Sequence, residues 1–125
     1  MKRFIITEKA PAAIGPYSQA VQSDDMLFVS GQIPINPETG NIEATDIKGQ
    51  TEQVFRNIKN ITEAAGFSMN DIVKCTVMLA DMSLFTDMND VYAKQFTGSA
   101  PARAAFAVRE LPKKVLVEIE AIAKR

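Results

Sequence analysis

At 125 residues the chain has the length of one domain and enough material to bury a core. Hydrophobic residues make up 46% and charged residues 23%, an ordinary soluble composition, and 14 basic against 15 acidic side chains leave a net charge of −1; with no basic block, this argues against a general nucleic-acid or anionic-membrane binder. There is no histidine and a single cysteine, Cys75, which excludes an intrachain disulfide, the usual zinc and copper sites, and catalysis by histidine or a Ser/His triad.

The N-terminal "MKRFIITEK" carries an apolar run too short for a signal peptide or a membrane span, and the lone cysteine fits a reducing compartment, so a cytoplasmic chain is expected. "RFII" (3–6) reads as a first strand. Pro11, Gly15 and Pro16 of "APAAIGPYSQ" mark an ordered loop. "YSQAVQ" (17–22) and "MLFVSGQIP" (26–34) read as strands around an Asp24-Asp25 hairpin turn, and "NPETGN" (36–41) as another turn. Ile47, Val54, Phe55, Ile58, Ile61 and Ala65 fall on one stripe at helical spacing, with Thr45 or Asp46 to cap the start and Gly66 to end it. "DIVKCTVMLAD" (71–81) is rich in β-branched residues and predicts a strand, with Cys75 as an inert core residue. A second helix follows Ser83, with Phe85, Met88, Tyr92 and Phe96 on one face. "RAAFAVRE" (103–110) and "VLVEIEAIA" (115–123) complete the chain as two strands joined around Leu111-Pro112.

Each helix has one apolar stripe, so both are expected on the same face of the sheet. The other face, with Leu116 and Ile122 among charges, lacks cover from its own chain and suggests an oligomer; three or more copies would close their sheets into a barrel-like core. If the last two strands pair, apolar meets apolar when Phe106 sits opposite Val117 and Ala104 opposite Ile119. That register sets Ala105 opposite Glu118 and Arg103 opposite Glu120, a small hollow floored by Ala105 and Ala107. On pattern alone this is a cross-strand Arg–Glu ion pair worth ~0.2–1 kcal/mol or the rim of an anion site.

Four ordered stretches, "APAAIGPYSQA" (10–20), "FVSGQIPINPETG" (28–40), "PAR" (101–103) and "VEIEAIA" (117–123), together resemble the RidA/YjgF family of reactive-intermediate (enamine/imine) deaminases. The helix "QTEQVFRNIKNITEAAG" and the strand "DIVKCTVMLADM" fit it too, so the resemblance spans the chain. It implies one RidA-like domain over 1–125 with a chorismate-mutase-like α+β fold, a mixed β-sheet with two helices on one face. It also implies a homotrimer with a central barrel of sheets and sites between subunits. The implied activity is cofactor-free, metal-free hydrolysis of enamines and imines such as 2-aminoacrylate, released by pyridoxal-phosphate dehydratases, to 2-keto acids and ammonia.

Carried over residue by residue, the resemblance gives Arg103 the substrate carboxylate, Glu118 the attacking water and Tyr17 the closing of the pocket. Ser30 and Gly31 would line the site, Asn89 would stand near it, and the Ala105 backbone N–H would hold water or the product oxygen. Many family members have Ser-Cys after the motif arginine where this chain has Ala104-Ala105, so thiol functions described for relatives do not transfer. The same arginine pocket would also serve a non-catalytic regulatory trimer that senses small 2-keto or amino acids. The family's ribonuclease label fits poorly with near-neutral charge and no histidine.

Overall fold

The computed structural model describes residues 1–125. Its elements run β1 (Lys2–Ile5), β2 (Ala20–Ser23), β3 (Met26–Gln32), α1 (Ile47–Ala64), β4 (Ile72–Leu79), α2 (Phe85–Ala93), β5 (Ala102–Ala107) and β6 (Val117–Lys124), the expected succession of strands and helices. The second strand starts three residues later than its pattern suggests, because Tyr17 to Gln19 still belong to the preceding loop.

Helix α1 forms as its stripe dictates. Ile47, Val54, Phe55, Ile58, Ile61 and Ala65 are all buried, while Lys48, Glu52, Arg56, Lys59 and Glu63 face water. Asp46 occupies the N-cap position, but its side chain makes no capping hydrogen bond. At the other end Gly66 takes φ +84°, and Phe67 N–H returns to the Thr62 carbonyl, a left-handed stop that glycine enters at little cost. The second helix ends at Ala93, yet Phe96 just beyond it stacks edge-on against Phe55, so the apolar stripe read from sequence is intact in space.

The six strands make one mixed sheet in the order β1-β2-β3-β6-β4-β5, with β4 and β5 parallel and every other pair antiparallel. Asp24, at φ 53°, turns the β2–β3 hairpin. The family-implied α+β class, a mixed sheet with two helices, is the fold observed. Cys75, Val77 and Leu79 of β4 and Val117, Ile119, Ala121 and Ala123 of β6 form the buried floor beneath the helices.

The opposite face is open. It carries the row Phe4–Val21–Phe28–Ile122 across four strands, and Phe4 and Phe28 are exposed there. Ile122 lies on this face as expected, whereas Leu116, just before β6, is drawn against the core.

The structure overturns the expected pairing of the last two strands. β6 does not touch β5; β4 lies between them. A strand–helix–strand passage through α2 sets β5 parallel beside β4, and the segment 108–116 then crosses to the other side of β4 before β6 begins. Along the real register, Phe106 pairs with Met78, which pairs with Glu118, and Ala104 leads through Thr76 to Glu120. Phe106 therefore stands on the open face and is 44% exposed, not packed against Val117.

Candidate functional site

Arg103 pairs with Cys75 across the β4–β5 ladder, so it stands on the helix side of the sheet. Its guanidinium lies against α2 and stays exposed to solvent, with Cζ 4.7 Å from the Tyr92 ring centroid and 5.3 Å from that of Phe85. Nη1 donates a 2.6 Å hydrogen bond to Asn89 Oδ1. Ala105 and Ala107 continue on the same face with no bulk to fill the space beside it. The ion pairs of the chain are Met1–Asp24, Lys48–Asp90 and Lys124–Asp25, and none involves Arg103. The Arg103–Glu120 cross-strand pair is thus a second expectation the structure corrects: the two residues are on opposite faces of the sheet. What holds the arginine is neutral, two ring faces and a side-chain carbonyl, so its charge is not cancelled within the chain.

The remaining candidates gather elsewhere, around β3 and β6. The β3–β6 ladder shifts register between Val29 and Gln32, which places Ser30 and Gly31 in a bulge on the strand beside Glu118 and Glu120. A Cβ at Gly31 would overlap Oε2 of Glu118 and fall 3.1 Å from its Cδ. The missing side chain thus makes room for the Glu118 carboxylate beside the bulge. That carboxyl is half-buried, and burial first, then the negative charge of Glu120, raises its pKa above the ordinary 4.5.

The Tyr17 loop is pinned by Gln19, a buried side chain. Its amide donates to the carbonyls of Thr7, Ala10 and Pro11 and accepts from Thr7 N–H. Ser30 adds two ties, its N–H to the Gln19 carbonyl and its hydroxyl to that of Ser18. The Tyr17 ring is left 54% exposed at the mouth of a cleft of about 330 Å³ shared with Gly31, Ile33, Ile35 and Lys113.

The predicted residues therefore fall into two groups. Arg103, Asn89 and Ala105 stand under α2 near the β5 edge; Tyr17, Ser30, Gly31 and Glu118 stand on or beside the open face. Sequence reasoning missed Phe85 and Tyr92 as the supports of Arg103, having read them only as core. Their spacing to Asn89, at i, i+4 and i+7, is a signal that all three share a helix face. It also missed Gln19, whose role is invisible until the loop is folded. No group of three or more His, Cys, Asp or Glu side chains converges as a metal-binding cluster would. Cys75 is buried, and burial pushes its thiol pKa up, as an inert core residue requires.

Residues 7–125 match the sequence pattern of the family described as Endoribonuclease L-PSP, the RidA/YjgF proteins. The chain belongs to the RidA/YjgF family. It is 59% identical to a RutC family protein of Pyrococcus horikoshii, covering 98% of each chain. It is 47% identical to the 2-iminobutanoate/2-iminopropanoate deaminase of Mus musculus, over 98% of this chain and 91% of the mouse protein. Among solved structures, RidA from the Antarctic bacterium Psychrobacter superposes with a TM-score of 0.95 at 48% identity, over 98% of this chain and 99% of that one. No helix of this RidA-family chain is long and apolar enough to cross a membrane.

Proposed function

We propose that the whole chain, 1–125, acts as a cofactor-free deaminase that hydrolyses enamine/imine intermediates such as 2-aminoacrylate to 2-keto acids and ammonia. The observation that carries this reading is an arginine whose charge is held only by neutral groups, beside small alanines, in a chain that also offers a half-buried carboxylate of raised pKa. A small 2-imino acid presents the complementary parts, one carboxylate and one electrophilic C=N carbon. Arg103 takes the carboxylate through two parallel N–H···O bonds. Water held by Glu118 adds to the imine carbon, the carboxylate receives the water's proton, and the nitrogen gains protons as the C–N bond breaks. The balance is imino acid plus water to keto acid plus ammonia, with no oxidant or reductant.

Arg103 and Glu118 stand on opposite faces of one sheet, so we infer that each site combines Arg103, Asn89 and Ala105 of one chain with Tyr17, Ser30, Gly31 and Glu118 of another. A homotrimer closing its open faces into a barrel supplies that arrangement and covers Phe4 and Phe28, and the cytoplasm is its expected setting. RNA cleavage is set aside, since the chain has no histidine and a net charge of −1.

The test is a coupled assay in which a pyridoxal-phosphate dehydratase generates the imine and release of pyruvate or 2-ketobutyrate is followed. The wild type accelerates release, and Arg103→Ala, folded and still oligomeric, loses it. A lost bidentate charge-assisted contact costs ~2–4 kcal/mol. Full activity in a folded Arg103→Ala protein refutes the assignment.

A further inference from the structure

The function just proposed requires Arg103 to present a carboxylate-binding fork in a fixed plane. An arginine on an edge strand has four rotatable side-chain bonds and no such plane of its own. Its surroundings supply one. Tyr92 and Phe85, seven residues apart on α2, place ring faces 4.7 Å and 5.3 Å from Cζ, and Asn89 between them takes Nη1 at 2.6 Å.

We propose that Phe85 and Tyr92 are positioning residues, an aromatic cradle that orients Arg103 so that its Nε–Nη2 edge is the fork offered to a ligand carboxylate. The inference rests on the proposed function for the identity of the ligand, but not for the existence of the cradle.

Three features support it. First, the partners leave one edge of the guanidinium without a hydrogen bond: the rings lie near Cζ, the Asn89 carbonyl takes Nη1, and neither Nε nor Nη2 donates within the chain. The Nε–Nη2 edge is the side left for two parallel bonds. Second, the partners are neutral. A carboxylate in their place would hold the arginine as firmly but would compete with the ligand for the same fork, whereas a ring quadrupole attracts the cation without occupying a donor. Third, the cradle is stiff. Tyr92 is buried and locked edge-on to Phe55 at 5.5 Å, with Phe96 tilted against it at 5.2 Å. Phe85 opens the same helix at the other end of the cradle and is only partly buried against the core.

Phe85 is therefore the position to test. Phe85→Leu keeps an apolar side chain against the core but removes the ring face; Phe85→Tyr keeps the face and serves as the conservative rescue. The first readout needs no ligand: the 15N relaxation of Arg103 Nε, assigned by its loss in Arg103→Lys. In the wild type this N–H is expected to be as ordered as the backbone, in Phe85→Leu to be mobile, and in Phe85→Tyr to be ordered again. The second readout is calorimetric binding of 2-oxobutanoate. Phe85→Leu is expected to weaken it on the order of 3- to 30-fold, with KM for the imine rising by a similar factor and kcat nearly kept. Phe85→Tyr is expected to restore both affinity and KM, a rescue by the ring face alone.

A mobile Arg103 Nε in the wild type overturns the cradle, as does an undiminished affinity in Phe85→Leu or a Phe85→Tyr protein as weak as Phe85→Leu. An ordered Arg103 Nε that loosens in Phe85→Leu, in a protein that neither binds 2-oxobutanoate nor hydrolyses imines, supports the cradle and refutes the deaminase reading instead.

Discussion

The Glu118 carboxyl is half-buried and stands two residues from Glu120 on the same face of β6, and burial and then the like charge hold its pKa above 4.5. Two outcomes follow at the residue scale. As the base in hydrolysis, Glu118→Gln should slow turnover about 10²- to 10⁴-fold while binding of pyruvate, itself an anion, is kept or slightly tightened. Equal turnover in both proteins would remove the enzymatic reading in favour of a sensor of keto acids. The second outcome concerns pH. A carboxyl whose pKa is higher folded than unfolded binds its proton more tightly in the native state, so its contribution to stability is fully present below 4.5 and lost as pH rises through the folded value. Glu118→Gln should therefore raise the melting temperature at pH 7 and lose that advantage near pH 4. In activity the acid limb of the pH profile should lie above the ordinary glutamate range, and Glu120→Gln should move it down. Arg103 and Glu118 stand out in the sequence as candidates, because charged residues among alanines or in the middle of an apolar strand are conspicuous. Their mutual geometry is not. In "ARAAFA" alanine suits either face, so the register rested on Phe106 alone, and Phe106 is one of the apolar residues that face outward.

At the scale of the element, long periodic segments were the most legible. Every residue of the α1 stripe is buried as its spacing requires. The β5–β6 pairing failed because a short connection between two strands resembles a hairpin whether or not another strand lies between them. The clue in favour of the true order was α2 itself, since a helix joining β4 to β5 favours parallel neighbours. Within α1 one group is not satisfied: the Thr62 hydroxyl is fully buried and has no hydrogen-bond partner. Thr62→Val keeps the shape and removes the stranded polar atom, and should stabilise the protein by about 1 kcal/mol, a rise in Tm of about 3–6 °C by calorimetry. An unchanged or lower Tm would mean that the hydroxyl is satisfied in solution.

At the scale of the whole molecule, the open face is the surface that the proposed trimer would cover. Phe28 and Phe106 are each 44% exposed on this face, with Phe4 and Val21 in the same row as Phe28. A face of this size and character is what subunits cover. Sedimentation equilibrium should give three times 13.7 kDa for the wild type, and Phe106→Asp, which places a charge next to Met78 and Glu118, should yield smaller species without activity. A monomeric wild type at micromolar concentration would rule out the shared site. The two groups of residues on opposite faces of one sheet carry a genetic consequence. If each site is shared between two chains as proposed, a chain broken only at Arg103 still lends a sound Glu118 to its neighbour, and a chain broken only at Glu118 still lends a sound Arg103. Two dead alleles, Arg103→Ala and Glu118→Gln, should therefore complement when co-expressed or unfolded and reassembled together. Random mixing in equal amounts should restore about one quarter of the sites, because each site draws on two independently chosen chains.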